Sequence, residues 1–214
     1  IRQMSTSKIL GIISLITGVV LPDFCAFGQC DSVAFYPTGG IKQRGACVAG
    51  QKSGRWVYYY PNNKVSAEEF YLSGVLHGDV RYYFPNGLLQ AEEAWVQGNL
   101  EDSSFYYFET GALQKKGTYV HSQFAGTWKH YYPNGKLERA IAYLGGVPEG
   151  LTTAFAENGN MVQQGTYHDG KEEGVWTFYD DSGAISFTGQ YVAGQPVGIW
   201  YQYRKGKKRI YKRY

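Results

Sequence analysis

The chain has 214 residues, of which 17% are aromatic, 28 are glycine and only 18% are charged. That composition excludes a disordered chain and argues against an ordinary helical domain, because abundant Tyr and Gly favour twisted strands joined by tight turns. A formal net charge of +3 carries no message about nucleic acid or membranes unless it clusters.

In chain order, Ile1-Arg2-Gln3 lie upstream of Met4, which is read as the start. Lys8, the apolar run Ile9 to Leu21, the Pro22-Asp23 break and the small-x-small triplet Ala26-Phe27-Gly28 follow in the order of a secretory signal peptide. At roughly 1.5 Å per residue that run makes about 20 Å of helix, short of the roughly 30 Å hydrocarbon core, so a membrane anchor is not expected. Neither Cys25 nor Cys30 follows the Leu-small-small pattern of lipoprotein signals. The expectation is a signal over residues 1–28, a mature start at Gln29, one repeat domain over 29–214, and export to the periplasm, the outer membrane or the medium. Cys25 leaves with the signal, and Cys30 and Cys47 remain as a pair that an oxidising compartment could join. A two-residue turn over Thr38-Gly39 would set them opposite, and a three-residue Pro37-Thr38-Gly39 loop would set them one residue out of register. A disulfide stapling the first hairpin is expected.

From there the chain repeats every 24 residues. Glycines at 54, 78, 126, 150, 174 and 198 stand on one ladder, with Asp102 at its single vacancy. Nine residues on come Asn63 and then Gly87, Gly111, Gly135, Gly159 and Gly183, in the positions of a turn that needs positive φ. Two further columns, Tyr71 to Tyr191 and Gly50 to Gly194, keep the same phase, and partial units extend the ladder back to about Cys30 and forward from Gly198 to Tyr214. In the clearest units, Gly78 to Leu89 and Gly126 to Leu137, an aromatic strand enters Pro-Asn-Gly and leaves through a leucine. Pro presets the first central position of a type I turn and Gly supplies the left-handed bulge, giving a three-residue hairpin loop. A second strand and a Gly-containing link of about six residues lead to the next unit, too short for a crossover helix. The fold expected is all-β: an elongated single-layer antiparallel meander of about eight β-hairpin repeats, about sixteen strands and roughly 75 Å long at about 4.8 Å per strand. Its stability should add neighbour to neighbour.

The order Gly-x-Tyr-x-x-Gly-x-x-x-Gly-x-Trp, in Gly189 to Trp200 and again in Gly165 to Trp176, resembles the MORN (membrane occupation and recognition nexus) repeat. The appended Tyr-Tyr-x-Pro-Asn-Gly-x-Leu is similar to its bacterial variant, found in proteins labelled YwqK-type toxin-antitoxin antitoxins. The resemblance implies scaffolding, protein contacts and, in some members, lipid association. Asp102, Ser104 and Glu109 replace Gly, Trp and Pro in one unit, and Thr152, Ala154 and Ala156 thin the aromatics in another. Those two units are expected to bend, open or carry a partner.

Chemistry is sparse. The pairs Glu68/Glu69, Glu92/Glu93, Glu172/Glu173 and Asp180/Asp181 could in principle supply an acid and a base. The first two pairs recur at one repeat position, as solvated strand edges do, and no enzyme is expected. His77, His121, His130 and His168 lack metal-ligand spacing, no phosphate-binding glycine loop occurs, and no cofactor is expected. The column Trp56, Trp128, Trp176 and Trp200 admits two readings: a packing rung, or aromatic cages similar to those of cell-wall binding repeats, whose period is nearer twenty residues. Arg204, Lys205, Lys207, Lys208, Arg209, Lys212 and Arg213 put seven positive charges into the final eleven residues, while residues 29–203 hold 12 basic and 17 acidic. They read as protection of an open sheet edge or as contact with an anionic lipid or glycan surface. The leading expectation is an exported envelope scaffold for an unidentified protein partner, with glycan or anionic-lipid binding as the alternative and no nucleic acid. An antitoxin role, inherited from the family label alone, conflicts with export.

Overall fold

The computed structural model describes residues 28–214, so the expected signal, apart from Gly28, lies outside the described residues. The strands are β1 (Gln29–Phe35), β2 (Ile41–Val48), β3 (Gln51–Tyr59), β4 (Val65–Leu72), β5 (Val75–Leu76), β6 (Gly78–Tyr83), β7 (Leu89–Val96), β8 (Asn99–Leu100) and β9 (Asp102–Tyr107). They continue as β10 (Leu113–Val120), β11 (Gln123–Tyr131), β12 (Leu137–Leu144), β13 (Val147–Phe155), β14 (Met161–His168), β15 (Lys171–Tyr179), β16 (Ile185–Val192), β17 (Gln195–Arg204) and β18 (Lys207–Arg213). All 18 belong to one sheet in which each strand pairs antiparallel with its chain neighbours. β5–β6 and β8–β9 are single strands interrupted by one residue, His77 and Glu101. The meander therefore matches the sequence expectation of an all-β, sixteen-strand ribbon.

The Pro-Asn-Gly hairpins form as expected. Phe84 N–H donates to the Leu88 carbonyl and Gly87 N–H to the Phe84 carbonyl, both at 2.8 Å, and Gly87 takes φ of 92°. The expected six-residue links do not exist, because strands run on into two-residue turns whose central residues both have positive φ, as at Ala49-Gly50 (49° and 75°) and Gln97-Gly98 (49° and 80°). That is the turn whose twist matches its flanking strands. The Gly54-to-Gly198 ladder lies inside strands, where register shifts mark a bulge in each unit. Asp102 keeps the same left-handed conformation, φ 63°, which a short polar side chain tolerates. The two divergent units stay closed: Ser104 pairs with Gly117 and Thr152 with Gly165, each register shifting only beside its hairpin loop.

Side chains and turns sew successive units together along both edges. On the Pro-Asn-Gly edge, Asn86 donates to the Glu109 carbonyl at 2.9 Å and the Tyr60 hydroxyl to the Tyr83 carbonyl at 2.7 Å. On the opposite edge each turn amide reaches back to the preceding unit, as Gly98 N–H does to the Leu76 carbonyl at 2.9 Å. With no second layer, the core is a line across the strands. Trp56, Trp128, Trp176 and Trp200 are only 1–7% exposed, and each indole lies on a glycine of the preceding strand: Gly45, Gly117, Gly165 and Gly189. An added Cβ there would meet the ring at 2.1–2.4 Å. Where tryptophan is absent the bulk crosses over, so Glu69 faces Val80, Glu93 faces Ser104 and Ile141 faces Thr152 in place of glycine.

Candidate interaction surface

Strand alternation gives the sheet an inner face, bearing the tryptophans, and an outer face. The inner face is filled. Between Trp56 and Trp128 it holds a polar network: Lys52 donates to the Tyr58 and Tyr71 hydroxyls and sits 4.6 Å from the Trp56 ring centroid. The Tyr71 hydroxyl donates to Glu69 at 2.6 Å, and Tyr106 and Trp95 donate to Glu93 at 2.8 and 3.1 Å. Burial above all, with Glu69 and Glu93 alongside, pushes the Tyr71 and Tyr82 hydroxyls up to about 12. Burial likewise holds the Lys115 ammonium, 4.2 Å over the Tyr106 ring, below its ordinary range. At Trp56 and Trp128 the chain's own Lys52 and Lys115 lie against the rings, and all four tryptophans are buried.

The carboxylate pairs do not converge on a substrate. Glu68 and Glu92 point outward, to Arg55 at 2.5 Å and Arg81 at 3.2 Å, whereas Glu69 and Glu93 point inward. Neighbours on a strand face opposite sides, which corrects the reading of these pairs as one solvated edge. Asp180 folds onto its own turn through Ser182 and Ala184. One cluster escaped the sequence reading: Glu149, His168 and Asp169 meet across consecutive turns, with ligand atoms within 4.8 Å of one another, the spacing a metal ion needs. Glu149 accepts from the Asp169 amide at 2.8 Å and pairs with His168 at 3.0 Å, so a turn clasp accounts for it. Cys30 and Cys47 stand directly opposite, since a bulge between Ala34 and Phe35 offsets the three-residue loop by one. Their sulfurs are not joined to each other in the structure.

The outer face is where the molecule divides. One rung can be followed pair by pair from β1 to β17, beginning Val33, Arg44, Val57, Glu68, Arg81, Glu92, Phe105, Lys116 and Lys129. It continues Ala140, Thr153, Gln164, Thr177, Thr188 and Tyr201. Charge stops at Lys129. The rung nearer the two-residue turns passes through the bulges, where Thr166 pairs with Leu151 on one side and Glu173 on the other and Gln190 with Val175 and Val197, and Leu151 and Val175 are 63% and 67% exposed. The rung nearer the Pro-Asn-Gly loops runs Leu137, Phe155, Met161, Tyr179, Ile185 and Tyr203. Glu173 stands on this face, paired with Thr166, and Glu138 alternates with Ala140, so the face over β12–β17 sets exposed apolar residues among carboxylates and uncharged polar side chains.

β18 is exposed at every residue. Among the described residues no carboxylate lies within 4.0 Å of Arg204, Lys205, Lys207, Lys208, Arg209, Lys212 or Arg213. Lys208 and Lys212 lie over the Tyr201 and Tyr214 rings at 3.7 and 4.2 Å.

The family model described as "MORN repeat variant" matches residues 52–73, 125–143, 148–169 and 172–193. The stretch between 73 and 125, where Val80 and Ser104 stand in place of tryptophan, falls outside these matches. No curated protein matches the chain. Among solved structures, the TcdB2-TccC3-Cdc42 assembly is similar at 12% identity over 83% of this chain and 13% of that one, with a TM-score of 0.20. A TcdB2-TccC3 structure is similar at 13% identity over 83% and 14%, TM-score 0.19. A porin-like protein from Bacteroides uniformis is similar at 8% identity over 87% and 94%, TM-score 0.20. The chain thus spans a small fraction of the first two.

Proposed function

The chain is a protein of MORN repeat variants, and on that premise we propose that it is a non-catalytic scaffold of the cell envelope, docking protein through the outer face of β12–β17. The observation that carries this reading is the pair of apolar side chains, Leu151 and Val175, that protrude from the outer face of β13 and β15 at 63% and 67% exposure. Covering them is favourable, because each Å² of apolar area removed from water contributes about 25 cal/mol. Inward and outward splitting of the carboxylate pairs supports a non-catalytic role. Export rests on the Lys8-to-Gly28 pattern.

A photo-crosslinking residue at Val175 is expected to capture protein in the envelope fraction, and the same residue at Arg81, on the charged half, is not. Equal capture at both positions, or none at Val175, overturns the assignment. N-terminal sequencing that begins near Met4 instead of Gln29 overturns export. A second reading, contact with an anionic lipid or glycan, is favoured by one observation, the basic hairpin whose charges no carboxylate answers. Replacing Lys205, Lys207, Lys208 and Lys212 by Gln is expected to cause self-association with unchanged liposome binding, because edge lysines keep β18 from pairing. Lost binding to anionic liposomes by a monodisperse variant assigns the hairpin to the surface instead.

A further inference from the structure

We infer that β18 takes an acidic segment of another protein as an added strand, which lengthens the sheet at its basic end. β18 pairs with β17 on one side, and among the described residues no strand pairs with it on the other. Its free side is a row of backbone donors and acceptors, the template on which an extended peptide adds by main-chain hydrogen bonds.

The charge is laid out for a strand more than for a flat surface. Arg204, Lys207, Arg209 and Lys212 share the inner face, because Arg204 opposes Lys207, Gln202 opposes Arg209 and Trp200 opposes Lys212. Lys208 and Arg213 stand on the outer face, opposite Tyr203 and Ile199, with Lys208 over the Tyr201 ring. A membrane laid on one face reaches the cations of that face. A strand lying in the plane of the sheet alternates its side chains and meets both sets. Between the cations Ile210 and Tyr211 are 52% and 57% exposed, so the segment that fits carries apolar residues among its carboxylates. Protection of a bare edge does not account for so much charge. β1, at the other end of the ribbon, also pairs on one side only among the described residues, yet it carries a single charge, Asp31. The cations of β18 repel the β18 of another copy and attract an acidic strand, so the same residues exclude one partner and select the other.

Fluorescence anisotropy of the full purified chain with a labelled peptide of two Glu-Glu-Val-Val units, which bears carboxylates on both faces when extended, tests this. Binding is expected, weakened by salt, with slowed amide exchange along β18 in the complex. It should fall by at least about tenfold when Gln replaces Glu in the peptide, or when Arg209→Glu is made in the chain. Arg209 is exposed, and an unchanged melting curve confirms that the variant folds. N-methylation of two consecutive central residues removes an amide from each edge of the peptide and keeps its charge, so it should cost at least as much. A methylated peptide that binds as tightly as its parent, β18 amides that exchange as before, or no binding of the parent overturns the inference. Tighter binding to phosphatidylglycerol vesicles or to an oligonucleotide than to the peptide overturns it as well, and assigns the basic end to lipid or to nucleic acid.

Discussion

Tryptophan on glycine is the inner-face bond between neighbouring units: Trp56 and Trp128 add an indole N–H donated to the Ala46 and Thr118 carbonyls at 2.9 and 3.0 Å, whereas Trp200 holds its glycine by contact. Gly189 sits where an added Cβ would lie 2.1 Å from the Trp200 ring, with backbone and indole fixed on both sides. Gly189→Ala should therefore cost about 1–3 kcal/mol through overpacking, read as a lower denaturant midpoint at unchanged slope. A loss below roughly 0.5 kcal/mol would mean that the ring has room to move. The tyrosines make a second prediction. Tyr71 and Tyr82 are raised in the folded state to about 12, so the folded chain holds their protons more tightly than the unfolded chain, where tyrosine titrates near about 10. Their contribution is complete below about pH 10 and is lost as pH rises through about 12. Tyrosinate absorbance of the native protein should lag behind that of the denatured chain across this window. Coincident curves would remove the burial argument.

At the scale of the strand, bulges decide which residues meet. The bulge beside Phe35 sets Cys30 opposite Cys47, and opposed residues in an antiparallel pair lie about 4.5–5.5 Å apart at Cα, within the span of a disulfide. Oxidation is expected to bridge them, closing a loop long enough for a stabilisation of about 3 kcal/mol. Mass spectrometry of unreduced peptides checks the bond, and two free thiols in material from an oxidising compartment refute it. Bulges also mark where the sequence stopped being legible. The period, the Pro-Asn-Gly hairpins and the meander were readable, because each rests on residues whose conformational preference is local. Whether a positive-φ glycine makes a turn or a bulge was not, since Gly150 and Gly159 ask the same of the backbone in different settings, φ 96° and 97°. Simple alternation also fails across a bulge, so the shared face of Leu151, Thr166 and Glu173 emerges only from the register. One signal was present in the sequence: the 24-residue column Arg44, Glu68, Glu92, Lys116, Ala140, Gln164, Thr188 changes from charged to neutral at its midpoint.

Over the whole molecule, one regular backbone carries three different surfaces: an outer half charged along its central rung, an outer half neutral along that rung, and a basic end. The inner face pays no attention to these divisions, and its Trp-on-Gly contacts recur on both sides of the change at Ala140. Stability and recognition are thus kept on opposite sides of a single sheet. A substitution on the neutral half should alter association with little effect on folding, and one on the inner rung should do the reverse.

The unbroken rungs make the protein a ruler. Contacts in the ladder join neighbouring strands and neighbouring units, as Phe178 meets Trp200 one unit on, so adding or removing one 24-residue unit leaves the pattern intact and moves the ends by about 9.6 Å, two strand spacings. The distance between the first strand and the neutral patch is accordingly set in whole steps by the number of units between them, and evolution can retune what the scaffold spans without redesigning how it folds.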